Sequence, residues 1–269
     1  MFLMPLYTNV HLAPLSSAKA PAAQYRSAPP ARWPNLASGS RGPAVATLQM
    51  ALAQLGYLPI RYPGRLAGIT GANLVHPPQA TWHPSWTEPG LPVTYKRLWS
   101  RNQFTVATQG AVMQFQAQQG WAVTGVVSAA VWRRLADDVS HHIANTVGFS
   151  YVLVRKNLPE TLTLWHNGRV VLQSLTNTGI PQAPTPDGTW PVYLRYLSQD
   201  MSGVNPFGVP YNDPGVPYVN YFHGGDAVHG FVRSAYGFPQ SLGCVELPVP
   251  EARAAWSYLD YGTLVTVEN

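Results

Sequence analysis

From Tyr151 to the C-terminus the chain is written in short β-branched and aromatic runs: YVLVRKN, TLTLWHNG, RVVLQSLTNTG, TWPVYLRYL and TLVTVEN. Asn-Gly, Asn-x-Gly and Asp-Gly turns separate them. Strands at this spacing, with no helices between them, argue for a mainly-β C-terminal half, an antiparallel sandwich or partly closed barrel. One helix is expected over Pro250–Leu259 (PEARAAWSYL), with proline where a first helical turn tolerates it.

Upstream the periodicity is helical. GPAVATLQMALAQLGYLP sets Val45, Leu48, Leu52 and Leu55 on one face and stops at Gly56. A second helix carries Val112 and Phe115, and after the break at Gly120 a short one carries Val131, Trp132 and Leu135. A Pro/Trp-rich insertion, about 61–102, parts the first helix from the second and holds His76, Trp82, His83 and Trp86. Its rings are expected to pack as a stiff loop, with stacking on sugar faces as the competing role. His76 and His83 lack the cysteine or acidic partners of a zinc site, so no metal is assigned. Residues 138–148, with His141-His142, read as a linker, which gives a helical domain over 41–137 and a β domain over 149–269. Residues 1–40 read as an Ala/Pro/Ser-rich leader or linker. Ala18-Lys19-Ala20 fits a small-x-small cleavage site, but an early Lys or Arg is missing and Pro5 interrupts the apolar start, so a signal peptide and an atypical start both remain open.

Composition narrows the function. Charged residues are 11% of the chain and aromatic ones 12%, with 26 Pro and 23 Gly, which describes a globular protein with long ordered loops. The net charge of +5 favours polyanionic surroundings, yet the basic residues are scattered rather than clustered as in nucleic-acid readers. No apolar run reaches the ~18–20 residues of a bilayer span. The one cysteine excludes an intramolecular disulfide.

That cysteine, Cys244, sits in YFHGGDAVHGFVRSAYGFPQSLGCVEL, residues 221–247, fifteen positions after His229. A free thiol, with a pKa near ~8.5, is mostly protonated at neutral pH, and an imidazole that meets it supplies the base. A lone cysteine is more often an inert core residue, and spacing alone does not bring the pair together. The Ser-Leu-Gly-Cys turn would leave the N–H groups of Leu242, Gly243 and Cys244 free to hold an oxyanion.

His-Gly, then Ser-x-Gly-Cys and an apolar residue, resembles the signature of the L,D-transpeptidases (YkuD-like catalytic domains), bacterial enzymes that remodel peptidoglycan. The order of N-G, N-T-G, T-P-D-G-T (Thr185–Thr189), M-S-G, P-F-G and the Gly262-Thr263 entry to a last strand extends the resemblance over nearly all of 150–269. V-x-x-LQ-x-x-L-x-x-LGY, GAV-x-x-FQ and V-W-x-x-L look like a three-helix peptidoglycan-binding domain. The resemblance implies a nucleophile Cys244, a base His229 oriented by the Gly230 carbonyl, a bracing Ser241, and no cofactor. Tyr221, His223, Arg233 and Tyr236 are candidate substrate-binding residues, Arg233 as a carboxylate clamp or as half of a loop salt bridge. It further implies an exported cell-wall protein, a monomer, sensitive to carbapenems, that joins third stem residues with release of D-alanine. The sequence departs from the pattern at Leu242, often His, and at Glu246, often Arg; the acidic side chain should raise the thiol pKa. An L,D-carboxypeptidase and a catalytically silent wall-binding protein are the alternatives. A papain-type protease is disfavoured, since there the cysteine precedes its histidine.

Overall fold

Among the described residues, five helices and two short strands precede nine strands and one helix. The computed structural model describes residues 33–77 and 85–269. Trp82, His83, the Ala18-Lys19-Ala20 site and most of the 1–40 leader lie outside the described residues.

α1 (Pro43–Gln54), α4 (Val106–Gln118) and α5 (Ala129–His141) make the helical core. Val45, Leu48, Leu52, Val112, Phe115, Trp132 and Leu135 are all fully buried in it, at 0% exposure, as their spacing predicts. α5 is entered at Ser128, whose Oγ accepts from the Val131 N–H, and ends in the left-handed His142. α4 is buried on more than one face, because it also lies against the second half of the chain.

The described part of the insertion forms β1 (Ile60–Arg61), α2 (Gly71–Val75), β2 (Ser85–Trp86) and α3 (Val93–Arg97). Buried Gln49 pins its return: Nε2 donates to the Ser100 and Gln103 carbonyls at 2.9 Å each, and Oε1 accepts from the Asn102 N–H at 3.0 Å. Trp86 packs edge-on against Tyr95 and Trp99, so for this ring the packed-loop expectation holds.

The strands form two sheets. The first, ordered β5-β4-β3-β11-β6, uses β3 (Ser150–Arg155), β4 (Thr161–His166), β5 (Arg169–Leu175), β6 (Gly188–Pro191) and β11 (Leu264–Glu268). The second, ordered β10-β9-β8-β7, uses β7 (Leu194–Val204), β8 (Pro210–His223), β9 (Asp226–Gly230) and β10 (Val245–Leu247). Among the described residues neither sheet closes into a barrel. Two pairings, β10 with β9 and β11 with β3, are parallel, and the other pairings of the two sheets are antiparallel, as expected. Each parallel pairing follows from a long connection: the loop 231–244 returns the chain to the start of β10, and most of the domain separates β3 from β11. α6 (Val249–Trp256) falls within a few residues of its expected place.

One core lies among the sheets and α6: Val152, Val154, Leu164 and Val265 with Phe222, Val228, Val245, Leu247 and Ala252. A second lies on the outer face of the first sheet, where Tyr151, Leu153, Trp165 and Leu264 meet Leu91, Tyr95 and Ala107. β3 is therefore buried on both faces. Tyr95 sets its ring edge-on to Phe149 and Tyr151, with centroids 5.0 and 5.1 Å apart. α4 and the loop before β11 touch backbone to backbone: a Cβ on Gly262 would lie 2.1 Å from the Gly110 carbonyl oxygen, so both positions must be glycine. α5 extends into the segment 138–148, and Asn145 within it donates to the Gly56 and Gly148 carbonyls at 3.0 and 3.1 Å. The helices and sheets belong to one unit, Arg32–Asn269. Among the described residues no helix is long and apolar enough to cross a membrane.

Candidate active site

The parallel register of β9 and β10 sets the site. Val245 pairs with Val228, Glu246 with His229 and Leu247 with Gly230. Val245 and Leu247 point into the core at 0% exposure. Alternation then turns Glu246, and Cys244 just before the strand, to the opposite face, beside His229. That face opens into a cavity of ≈ 600 Å³, lined by Cys244, His229, Ser241, Leu242, Arg233 and Tyr221 together with residues of β7 and β8. Six of the predicted site residues thus share one cleft, and none of the described residues of the insertion lines it.

His229 is 3% exposed and its Nδ1 lies 3.0 Å from the Gly230 carbonyl oxygen. That contact makes Nδ1 the protonated nitrogen and leaves Nε2 as the acceptor. Desolvation holds its pKa below the ordinary value, against the opposing hydrogen bond to Gly230 and the charge of Glu246, so the ring is neutral at neutral pH. Cys244 is partly accessible, and its Sγ is 3.9 Å from the Gly225 carbonyl. Desolvation pushes the thiol up to about 12; a backbone hydrogen bond from Ala227 opposes this, while Asp226 and Glu246 add to it.

The turn before Cys244 is braced from within. Ser241 Oγ donates to the Cys244 carbonyl at 2.6 Å and accepts from the Gly243 N–H at 3.2 Å. The Gly243 N–H is thereby engaged, which corrects its expected availability to an oxyanion and narrows the candidate donors to Leu242 and Cys244. Gly243 has φ +118°, and a Cβ there would lie 2.3 Å from Asp226 Oδ1. Thr185, from T-P-D-G-T, donates to the Gly243 carbonyl at 2.7 Å and accepts from the Gly179 N–H at 2.9 Å.

Arg233 is not an open clamp. Its Nε and Nη2 donate to Glu246 at 2.8 and 2.7 Å, and its guanidinium lies over the Phe231 ring. The loop salt bridge, the competing role, is the one observed. His223 pairs with Asp226 at 3.1 Å and its ring lies tilted against that of Trp190, outside the cavity lining. Tyr236 also stays outside it: its hydroxyl donates to the Phe231 carbonyl and accepts from the Arg233 N–H.

Sequence reasoning missed the wall formed by Gln199–Ser202, Tyr211 and Asp213, which belong to the long β7–β8 hairpin. The M-S-G motif at Met201 marked the place without a role. Asp226 was missed as well; it faces the thiol, Gly243 and His223 at once.

Residues 150–267 match the family model of the L,D-transpeptidase catalytic domain, YkuD. They form a YkuD catalytic domain. Residues 100–135 match the model described as "Putative peptidoglycan binding domain". Similar solved structures include an L,D-transpeptidase from Mycobacterium smegmatis, 23% identical with a TM-score of 0.40 over 45% of this chain and 59% of that one. An E. faecium L,D-transpeptidase catalytic domain is 25% identical, TM-score 0.40, over 46% and 99%. L,D-transpeptidase 3 from Mycobacterium tuberculosis is 20% identical, TM-score 0.42, over 45% and 62%. The chain thus spans 59% of the length of the first of these relatives. No curated protein matches it.

The YkuD match begins at the first residue of β3 and ends one residue short of the end of β11, so it contains both sheets. The peptidoglycan-binding match begins where the insertion ends and reaches into α5, leaving α1 outside.

Proposed function

We propose that this chain is a peptidoglycan L,D-transpeptidase acting through a Cys244 acyl-enzyme. The observation that carries the proposal is the placement of His229 on β9 and of Cys244 immediately before β10, its parallel neighbour, with both side chains lining one cavity and His229 Nδ1 tied to the Gly230 carbonyl. Nε2 of His229 takes the thiol proton as Sγ attacks the carbonyl of the amide after the third residue of a tetrapeptide stem. The N–H groups of Leu242 and Cys244 hold the oxyanion. The intermediate collapses as the amide C–N bond breaks, His229 returns the proton to the leaving nitrogen, and D-alanine departs from a thioester. An amine of another stem then attacks the thioester, His229 takes its proton, and the thiol is restored as a third-to-third cross-link forms.

Tyr221 and the hairpin wall border the stem, and His223 acts on the cleft only through Asp226. The helical domain, about 41–137, holds the enzyme on its polymeric substrate and raises the local stem concentration. The protein works outside the cytoplasm, as a monomer, and a carbapenem acylates the same thiol.

Intact-mass spectrometry of wild type and Cys244→Ala tests this, after incubation with a carbapenem and separately with a tetrapeptide-stem muropeptide. The expected result is one covalent adduct on wild type only, with cross-linked dimers. Adduct with trimmed monomers and no dimers would make the enzyme an L,D-carboxypeptidase. A folded wild type with no adduct from either reagent would overturn the enzymatic reading in favour of a wall-binding protein.

A further inference from the structure

A second cleft, of ≈ 670 Å³, runs along the seam between the helices and the sheets, a volume within the range of ligand sites. From the helical side it is lined by Gln118, Trp121 and Val123, all within the segment that matches the peptidoglycan-binding model; from the catalytic side it is lined by Tyr193, Asp260 and Tyr261. Trp121 and Tyr193 are each 37% exposed.

The groove differs from the catalytic cavity in charge. Asp200, Asp213, Asp226, Arg233 and Glu246 line the cavity. Asp260 is the one carboxylate among the described residues lining the groove, and it is occupied: Arg195 Nη1 and the Tyr261 N–H donate to its Oδ1 at 3.1 and 2.7 Å. What remains open is flat aromatic surface with amide and phenol groups at its margin. Flat rings beside neutral hydrogen-bonding groups suit the apolar faces and hydroxyl edges of sugar rings better than a charged peptide.

The groove also leads to the nucleophile. The Tyr193 ring lies 6.4 Å from that of Tyr221, which lines the catalytic cavity. The Tyr193 hydroxyl donates to the Gly224 carbonyl, next to Gly225, another lining residue of that cavity.

We propose that this groove binds the glycan strand of the substrate, an amino-sugar polymer, with Trp121, Tyr261 and Tyr193 as its stacking surfaces. A strand seated there would deliver its stem peptide past Tyr193 and Tyr221 to Cys244. The inference rests on the wall-polymer substrate proposed above and adds where the polymer lies.

Titration calorimetry of the full chain with glycan strands freed of stem peptides tests it, on wild type, Trp121→Leu and Tyr261→Ala. Leucine keeps the apolar contact that Trp121 makes edge-on with Phe115 and removes only the flat ring. Wild type should bind, and each variant should bind about tenfold more weakly. Carbapenem adduct formation, which needs no sugar, should proceed at the wild-type rate and report an intact fold. Wild type that ignores the stripped strands, variants that bind like wild type, or sugar-free stem peptides that displace the strand would each overturn the groove. Adduct without strand binding sinks the groove alone; strand binding without adduct sinks the acyl-enzyme and leaves the groove standing.

Discussion

Glu246 stands beside His229 on the cavity face of the neighbouring strand. Its carboxylate is 4% exposed and is held by both donor nitrogens of Arg233, whose own side chain is 30% exposed. The charge that departs from the family pattern therefore arrives with its own counter-charge, and Arg233 is spent on it. Glu246 still raises the thiol pKa, after desolvation, the largest cause, and Asp226. A thiol pushed up to about 12 should be alkylated by iodoacetamide at a rate that keeps rising with pH through 10. In Glu246→Gln the negative neighbour is gone and Arg233 is unpaired, so the same rise should begin at lower pH; an unchanged profile would show that Glu246 does not act on the thiol. Arg233→Met leaves a buried carboxylate alone. The cost expected in urea unfolding is about 2 kcal/mol, between that of an exposed and a fully buried broken pair. Arg233→Met/Glu246→Met should recover most of it. The motif pattern singled out Cys244, His229 and Ser241, and the fold brings all three to one cavity. The sequence left Arg233 between two roles, because its partner lies thirteen positions away across a strand register that no pattern of residues specifies.

The site loop owes its shape to elements far from it in sequence. Thr185 ties the turn at Gly243 to the strand-exit segment at Gly179 through one donated and one accepted hydrogen bond. Thr185→Val keeps the volume and removes both, leaving the Gly179 N–H and the Gly243 carbonyl without that partner. The expected loss is about 1–3 kcal/mol of stability, with slower carbapenem acylation because the backbone before Cys244 is no longer fixed. Acylation at the wild-type rate would show that Ser241 alone shapes the turn. Helix positions were readable from their 3.6-residue period and strand positions from their alternation and turns. The two parallel pairings and the β7–β8 wall were not, since strand order is decided by which long connection closes and not by any run of residues.

On the scale of the whole molecule, the helices and the sheets share apolar surface instead of hanging from a tether. Tyr95, 1% exposed, fills the space over Tyr151 and Phe149. Tyr95→Ala should cost about 3–5 kcal/mol, in the range of other large aromatic truncations. Calorimetry should show the loss in a single transition; two transitions, with only the first lowered, would show that the halves unfold separately. The order of helices and strands was visible in the sequence, but not this contact, because Tyr95 belongs to the insertion and no local rule says what an insertion lies against.

The double-sided burial of β3 bears on how such a chain can be inherited. Where two modules meet only through a flexible connector, recombination can exchange either one and leave the other folded. Here an exchanged catalytic half would expose Tyr151, Leu153 and Leu264, and an exchanged helical half would leave Tyr95 and Leu91 uncovered. Exchange of either half alone would therefore put apolar surface into water unless the incoming half covers the same residues.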